Sequence, residues 1–394
     1  MLVGLVGAPS SGKSTFFKAA TLAEVAIANF PFTTIKPNRG TGYVKVECAE
    51  KFFNTKCNPR FGYCLDGNRF VPVELLDVAG LVPGAHEGKG LGSMFLNDLL
   101  PADVLIHVVD VSGSTNEKGE NVEVGSHDPL KNIKFLEFEL DMWYFGAVQK
   151  GWDKFARTVQ QAKTPIHKAL ATQLSSLKVT EDMVKDELKK LNFKADVTAW
   201  SQDDLKKLAS ALRKITKPVI VACNKADLPP SENNFERLKK EFKDIKFILC
   251  SGDYEVALRE AARANLIKYI PGESKFEIIG KLNDRQKAAL DKIKAFLDKF
   301  KSTGVQQVLD TAVFDMLKYL AIFPGGLGKL EDSEGRRLPD CYLLPPNSTA
   351  LDFAFKLHTD LGKGFIRAID VKTKKTVGKE HLLKNLDVVE IVSK

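Results

Sequence analysis

The stretch at residues 2–15, LVGLVGAPSSGKST, decides the fold of this chain. Its opening LVGLV is a short apolar run, which is typical of a strand buried on both faces of a parallel sheet. Residues 7–15 then match the pattern G-x-x-x-x-G-K-[ST] and lead into a segment with helical spacing. Because a strand, a glycine-rich loop and a helix follow one another in this order, the stretch predicts a phosphate-binding loop in an α/β domain.

The residue types in this loop suit a triphosphate with a metal ion. Glycines let the backbone wrap closely, so that several N–H groups point at the phosphates and the helix N-terminus adds positive potential. Lys13 can reach the β and γ oxygens, and Ser14 offers a hydroxyl to Mg²⁺. We expect nucleotide contacts along the whole loop, from Gly7, Ala8, Pro9, Ser10, Ser11, Gly12, Lys13, Ser14 and Thr15.

Two later motifs follow apolar strands. In DVAG, residues 77–80, the Asp77 carboxylate would lie near the water shell of the metal, and the N–H of Gly80 would approach a γ-phosphate. In NKAD, residues 224–227, the Asp227 carboxylate can accept two hydrogen bonds from guanine, whereas adenine offers neither donor. The two motifs therefore predict a guanine nucleotide as ligand, with Asn224, Lys225 and Asp227 at the base.

Apolar runs alternate with helical spacing over residues 1–282, which predicts a doubly wound α/β domain. The predicted strands are 2–6, 73–76, 104–109, 218–223 and 247–250. A segment at about 129–216 has no strand signal and predicts a helical insertion.

The C-terminal third has a different pattern. Residues 283–317 predict a helical connector, in which Asn283 caps the first helix and Gly304 is its stop. Residues 318–394 hold short strands, YLL, FIRAID and DVVEIV, around one helix at 350–358. We interpret this tail as a separate small α+β domain.

The composition sets limits on location and partners. The chain has 394 residues, 44% of them hydrophobic, and a formal net charge of +8, which permits contact with a polyanion without requiring it. No signal peptide or membrane-spanning stretch is evident, and the cysteines are too scattered for a disulfide framework. We expect a cytoplasmic protein without a membrane partner.

Longer phrases extend the motifs into a resemblance. NFPFTTIKPN at 29–38 and DVAGLVPGAHEGKGLG at 77–92, together with the three motifs, resemble the Obg and YchF families of translation-associated GTPases. The tail phrase LPDCYLLPPNSTALDFAFKLHTDLGKGF resembles a TGS domain, a ubiquitin-like β-grasp module. The resemblance implies a GTP-hydrolysing switch that uses Mg²⁺ and acts on the ribosome or on structured RNA. We expect a monomer.

The resemblance also implies further site residues. Thr34 would be the switch threonine that closes on Mg²⁺ and the γ-phosphate, with Thr33 the weaker candidate, so that the metal set is Ser14, Thr34 and Asp77. Ser251 and Gly252 would form the motif whose backbone meets the guanine O6. Lys225 would lie along the base.

The position after DVAG holds Leu81, where many GTPases carry a glutamine that orients water. An aliphatic side chain cannot orient water, so another group must do so. His86 is the best local polar candidate, beside Glu87, Thr34, backbone groups and a partner. The catalytic set is then Lys13, Thr34, Gly80 and His86, and we expect slow intrinsic turnover that a partner raises.

Two other functions stay open. Most YchF members replace the N-K-x-D motif with a variant that admits ATP, so an ATP-hydrolysing protein is the first alternative. The second is an RNA-binding or ribosome-binding adaptor with negligible turnover. Retention of Asp227 favours GTP.

Two weaker signals complete the analysis. Cys48, Cys57 and Cys64 could form a metal knuckle, but a C-x₂-C pair and an obvious fourth ligand are missing, so a plain loop or hairpin is expected. A basic cluster in the tail favours RNA contact, with the lysines at 185–194 as a further candidate surface. The tail cluster consists of Arg336, Arg337, Lys372, Lys374, Lys375, Lys379 and Lys384.

Overall fold

The computed structural model describes residues 1–21, 38–78, 80, 84 and 96–394. Its largest sheet is built from β1 (Leu2–Val6), β2 (Asn38–Glu47), β3 (Tyr63–Leu65), β4 (Asn68–Asp77), β5 (Val104–Asp110), β6 (Val219–Asn224) and β7 (Lys246–Leu249). The strand order is β2-β4-β1-β5-β6-β7, and β3 pairs with β4. From β4 to β7 all pairs are parallel, whereas β2 and β3 join β4 in antiparallel fashion.

Both faces of this sheet are buried, as the apolar strand at the N-terminus predicted. Val3 and Leu5 pack into the core on one face, and Leu2 and Val6 pack into the core on the other. Side chains that alternate along a strand in this way need cover on both sides. The doubly wound α/β fold is therefore confirmed. The sequence did not predict β2 or β3.

Helices cover the sheet and fill the long segment between β5 and β6. Among the described residues, the helices of this part include α1 (Lys13–Thr21), α2 (Glu50–Phe53), α3 (Pro129–Gln149), α4 (Trp152–Ala162), α5 (Ile166–Gln173), α6 (Glu181–Leu191), α7 (Gln202–Thr216), α8 (Ser231–Glu241) and α9 (Gly252–Arg263). Within 129–216, all of which is described, the regular elements are helical, and they enclose a core in which Trp152 and Trp200 stack at 5.6 Å. After α9 comes a small antiparallel pair, β8 (Ile267–Tyr269) and β9 (Phe276–Ile278).

Two consecutive helices follow, and the prediction that the first of them ends at Gly304 is wrong. Helix α10 (Asp284–Phe300) begins at a capping box formed by Asn283, as predicted, but ends before Lys301, which has a left-handed backbone. Gly304 instead precedes α11 (Val305–Asp310), which continues as a π-helix over Thr311–Met316. Its φ is +82°, and a Cβ there would lie 1.9 Å from the carbonyl oxygen of Leu249, so close packing requires the glycine.

The C-terminal part is a five-stranded mixed sheet with helices beside it. Its elements are β10 (Leu320–Pro324), β11 (Tyr342–Leu344), α12 (Ala350–Leu357), α13 (Thr359–Lys363), β12 (Phe365–Asp370), β13 (Lys375–Val377) and β14 (Val388–Ser393). The strand order is β11-β10-β14-β12-β13. This confirms the predicted small α+β fold, although two helices stand where one was expected.

The two sheets share a hydrophobic core. Phe323 and Val388 of the C-terminal sheet belong to the same buried cluster as Val3 of β1 and Phe17 of α1. The tail, which we interpreted as a separate small domain, therefore packs against the first sheet through this cluster. Among the described residues, no helix is both long and apolar enough to cross a bilayer.

Buried His107 in β5 gives a testable pH dependence. Its side chain is 2% exposed, and burial, together with the charge of Lys13, lowers its pKa from 6.5 to about 3. Between these values the unfolded chain binds a proton that the folded chain does not, so stability falls as the pH drops below 6.5. The slope from this residue is at most about 1.4 kcal/mol per pH unit.

Replacing His107 by Leu should reduce the loss of stability at acidic pH. The free energy of unfolding by urea, determined at a series of acidic pH values, measures this. The control is His381→Gln, because His381 is exposed. An unchanged slope in the His107→Leu protein would show that burial of His107 does not cause the dependence.

Candidate functional site

The loop between β1 and α1 has a backbone that glycine makes possible. Gly7 has a φ of +152° and Gly12 a φ of +90°. A Cβ on Gly7 would lie 2.3 Å from the carbonyl oxygen of Val108, and one on Gly12 would lie 2.1 Å from Nδ2 of Asn224. The loop is thus held against both β5 and the end of β6. Ser10 also has a left-handed backbone, with a φ of +57°.

Several polar atoms of the loop region are buried without a hydrogen-bond partner among the described residues. These atoms are Oγ of Ser10, Oγ of Ser11 and Oδ1 of Asp77. Buried polar atoms are nearly always paired in folded proteins, because an unpaired one costs about 1–3 kcal/mol. Their concentration at one place marks the loop as a site for a polar ligand.

Lys13, Ser14 and Asp77 lie together at this loop. Lys13 is 8% exposed and Asp77 is fully buried. Burial lowers the pKa of Lys13 and raises the pKa of Asp77, and their mutual attraction opposes both shifts. Oγ of Ser14 lies 3.4 Å from Oδ2 of Asp77. A hydroxyl beside a carboxylate with a free oxygen offers the hard oxygen donors that Mg²⁺ prefers.

The remaining predicted phosphate-side residues are only partly described. A Cβ added to Gly80 would lie 2.8 Å from Cγ of Pro9, so the structure brings the DVAG motif against the phosphate-binding loop. Further along, the N–H of Gly84 donates to Oε1 of Glu139 at 2.8 Å. Thr34 and His86, like Thr33, Leu81 and Glu87, lie outside the described residues.

Asn224 connects three loops through one side chain. Its Nδ2 donates to the carbonyl oxygen of Ser11 at 3.1 Å, and its Oδ1 accepts from the N–H of Gly252 at 3.0 Å. Asn224 is 3% exposed, so these bonds form away from water, where an unpaired amide would be costly. The phosphate-binding loop, the NKAD motif and the Ser251–Gly252 pair are therefore fixed relative to one another.

Asp227 is oriented by a residue of the neighbouring loop. Its Oδ1 accepts a hydrogen bond from Oγ of Ser251 at 2.6 Å. The N–H of Ser251 in turn donates to the carbonyl oxygen of Thr303 at 2.9 Å. Because Ser251 is fully buried, its hydroxyl holds the carboxylate of Asp227 in a defined direction. Asp227 itself is only partly buried.

The sequence analysis missed Asp110, which positions Lys225. Oδ2 of Asp110 accepts from Nζ of Lys225 at 2.9 Å, and the hydroxyls of Ser112, Ser114 and Thr115 donate to the same carboxylate. Although burial opposes it, Lys225 and the hydroxyls keep the pKa of Asp110 below its ordinary value. The sequence pattern that could have identified Asp110 is an acidic residue at the end of an apolar strand, followed by residues with hydroxyl side chains.

The close packing at Gly12 predicts a matched pair of variants. Gly12→Ala should weaken nucleotide binding roughly ten- to hundredfold, because strain of about 1–3 kcal/mol would displace Asn224 or the loop. Gly252→Ala should change binding much less, since its nearest contact would be 3.3 Å from Cγ2 of Thr15. Calorimetric titration with GTP measures both. Equal affinities for the two variants would contradict the proposed loop geometry.

Comparisons with known proteins show the family to which the chain belongs. Three family models match: 50S ribosome-binding GTPase over residues 2–136, Obg-like GTPase YGR210-like, G4 motif-containing domain, over residues 222–325, and TGS domain over residues 329–393. A GTP-binding protein of Methanocaldococcus jannaschii is 48% identical over 100% of this chain and 99% of its own length. The ribosome-binding ATPase YchF of a Buchnera aphidicola strain is 30% identical over 94% of this chain and 88% of its own length.

A solved structure extends the similarity to three dimensions. The crystal structure of a GTP-binding protein from Pyrococcus horikoshii OT3 superposes with a TM-score of 0.79 at 39% identity and covers 100% of both chains. The resemblance noted in the sequence is thereby confirmed. The chain belongs to the Obg-like and YchF family of P-loop GTPases, with a TGS domain at its C-terminal end.

Proposed function

We propose that this protein binds GTP with Mg²⁺ at the site described above, hydrolyses it as a molecular switch, and acts on the ribosome or on structured RNA. The orientation of Asp227 by Ser251 carries the proposal, because it leaves a fixed carboxylate at the expected place of the base. Membership of the family establishes a nucleotide-hydrolysing switch in general terms. The proposal adds the identity of the base, of the metal ion and of the partner.

The choice of guanine follows from hydrogen-bond donors. Guanine presents N1–H and N2–H₂ side by side, and a carboxylate can accept from both. Adenine presents neither in that arrangement and would leave Asp227 unpaired, which costs about 1–3 kcal/mol or more for a charged group. Lys225, fixed by Asp110, would lie along the base. Some relatives are named as ATPases, so ATP remains the alternative substrate. The Asp227→Asn test below distinguishes GTP from ATP.

The phosphates and Mg²⁺ would occupy the loop region. Lys13 would neutralise β and γ oxygens, and Ser14 and Asp77 would hold the metal directly or through water. The hydroxyls of Ser10 and Ser11, which have no hydrogen-bond partner in the described part of the chain, support this assignment. Thr34 would complete the metal set, Gly80 would meet the γ-phosphate, and His86 would help to place the attacking water.

The partner is argued from the exposed lysines of the C-terminal sheet. Lys374, Lys375, Lys379 and Lys384 are exposed, and Lys375 begins the edge strand β13. One family model bears the description 50S ribosome-binding GTPase, and the Buchnera relative is named as ribosome-binding. With a ribosomal partner, the protein would act in the cytoplasm, and we expect it to act there as a monomer.

Part of the predicted basic cluster is already engaged within the chain. Nε of Arg336 lies 2.8 Å from Oδ2 of Asp332, and Nε of Arg337 lies 2.8 Å from Oε1 of Glu331. Lys372 lies over the ring of Phe52 at 5.4 Å from its centroid. These three residues serve contacts within the chain, and Nζ of Lys379 lies 3.8 Å from Oε1 of Glu380, so the proposed RNA surface is centred on Lys374, Lys375 and Lys384.

The base assignment is tested by Asp227→Asn. The amide keeps an acceptor for N1–H but places a donor against N2–H₂ of guanine, so GTP binding should fall by roughly a hundredfold or more. Xanthine carries an oxygen at that position, so XTP binding should rise in the same variant. Calorimetric titration with GTP, XTP and ATP measures this exchange. Wild-type protein that prefers ATP would contradict the assignment, as would a variant that keeps its preference for GTP.

The partner is tested by GTP turnover with and without added ribosomal subunits. We expect a rise of about tenfold or more, as for other GTPases completed by a partner. A Lys374→Glu/Lys375→Glu double variant should lose most of this rise and keep its basal rate. Lys292→Glu/Lys294→Glu in α10 carries the same charge change and is the control. Ribosome binding without any turnover would instead identify an adaptor.

A further inference from the structure

Three cysteines and a glutamate between β2 and β4 lie close enough to share one ion. Cys48 precedes α2, Glu50 is in its first turn, Cys57 follows it, and Cys64 lies in β3. One donor atom from each residue can be chosen so that all four lie within 4.8 Å of one another. The sequence analysis expected a plain hairpin because no fourth ligand was evident. The hairpin exists, and α2 supplies the fourth ligand.

Two distances among these atoms are close to the edges of a tetrahedral metal site. Sγ of Cys48 lies 3.7 Å from Sγ of Cys57, and Sγ of Cys64 lies 3.4 Å from Oε1 of Glu50. With Zn–S of about 2.3 Å and Zn–O of about 2.1 Å, a tetrahedron has S–S edges of about 3.8 Å and S–O edges of about 3.6 Å. A disulfide would need sulfurs about 2.05 Å apart, so the thiols are not paired covalently.

Buried Arg69 is an independent sign that this cluster is anionic. Its side chain is fully buried, Nη1 lies 3.6 Å from Sγ of Cys57, and Nη2 donates to the carbonyl oxygen of Leu338 at 2.7 Å. Within the described part of the chain it forms no ion pair with a carboxylate. A buried guanidinium without an anion costs several kcal/mol. Three thiolates and a carboxylate around a divalent cation carry a net negative charge, which would compensate Arg69.

We propose that Cys48, Glu50, Cys57 and Cys64 hold one structural Zn²⁺ ion. Thiolates favour zinc over magnesium or calcium, which prefer oxygen donors alone. The protein fills all four tetrahedral positions, and closed sites of this kind stabilise structure rather than activate water. Glu50 already accepts the N–H of Cys57 through Oε2 at 2.8 Å, which leaves Oε1 for the ion.

The ion would stabilise the contact between the two sheets. The segment that follows Cys57 is docked on the C-terminal part: the N–H of Asn58 donates to the carbonyl oxygen of Arg337 at 2.8 Å, and Arg60 forms an ion pair with Asp340 at 2.5 Å. Cys57 and Cys64 bracket this segment. A zinc ion between them would fix both of its ends and thereby the position of the C-terminal sheet.

The test measures metal content of the full-length protein, loaded with zinc under reducing conditions and dialysed. Wild type should retain about one zinc per chain, and Co²⁺ in its place should give the thiolate charge-transfer absorption of a tetrahedral site. Cys57→Ala and Cys64→Ala should retain less than about a tenth of this zinc, whereas the Cys341→Ala control, a thiol of the same core outside the cluster, should retain it. Glu50→Gln gives a milder variant in which zinc binds more weakly while all thiols remain.

Hydrogen exchange checks the structural role and does not depend on nucleotide. Removal of zinc by a chelator should speed exchange at residues 57–62 and 337–340 in wild type but not in Cys57→Ala. Folded wild type that holds no zinc under reducing conditions would overturn the proposal. Full zinc retention by Cys57→Ala would overturn it too, as would exchange at both segments that is indifferent to zinc. None of these results is evidence for or against GTP binding, which the titrations described above test separately.

Discussion

The side chain of Asn224 is the interaction on which the nucleotide site depends. It joins the carbonyl of Ser11 to the N–H of Gly252, so three loops from different strands share one buried amide. The same amide fills the space that a side chain on Gly12 would need. Phosphate binding and base recognition are therefore not separate features of the chain. A shift of Asn224 would move both.

The core carries this constraint beyond the site. Helix α1 begins at Lys13, and its Phe16 and Phe17 are buried in the cluster that also contains Phe323 of the C-terminal sheet. Interiors packed at native density have low compressibility and transmit strain. Helix α1 and the C-terminal sheet thus share one packed core, and the cysteines of the proposed zinc cluster belong to that core or pack against it.

Local patterns predicted what depends on local chemistry. The strand at 2–6, the capped start of α10 and the N-K-x-D motif were evident because apolar runs, caps and short motifs act over a few residues. Pairing between distant segments was not predictable in the same way. The first half of strand β2, residues 38–42, has no apolar side chain, and the strand finds its place by pairing with β4. Glu50 becomes a candidate ligand only when the chain folds back over it. Asp110 was missed because its partner Lys225 is distant in sequence.

Calorimetric titration of GTP into the folded, magnesium-replete protein tests the nucleotide site most directly, with Asn224→Ala as comparison. We expect one saturable site in wild type with a Kd of roughly micromolar or tighter, and a large loss of affinity in the variant, because the three loops lose their common link. Absence of saturable heat in wild type at roughly millimolar GTP would contradict the assignment of this site. Unchanged affinity in Asn224→Ala would contradict the role given to that side chain.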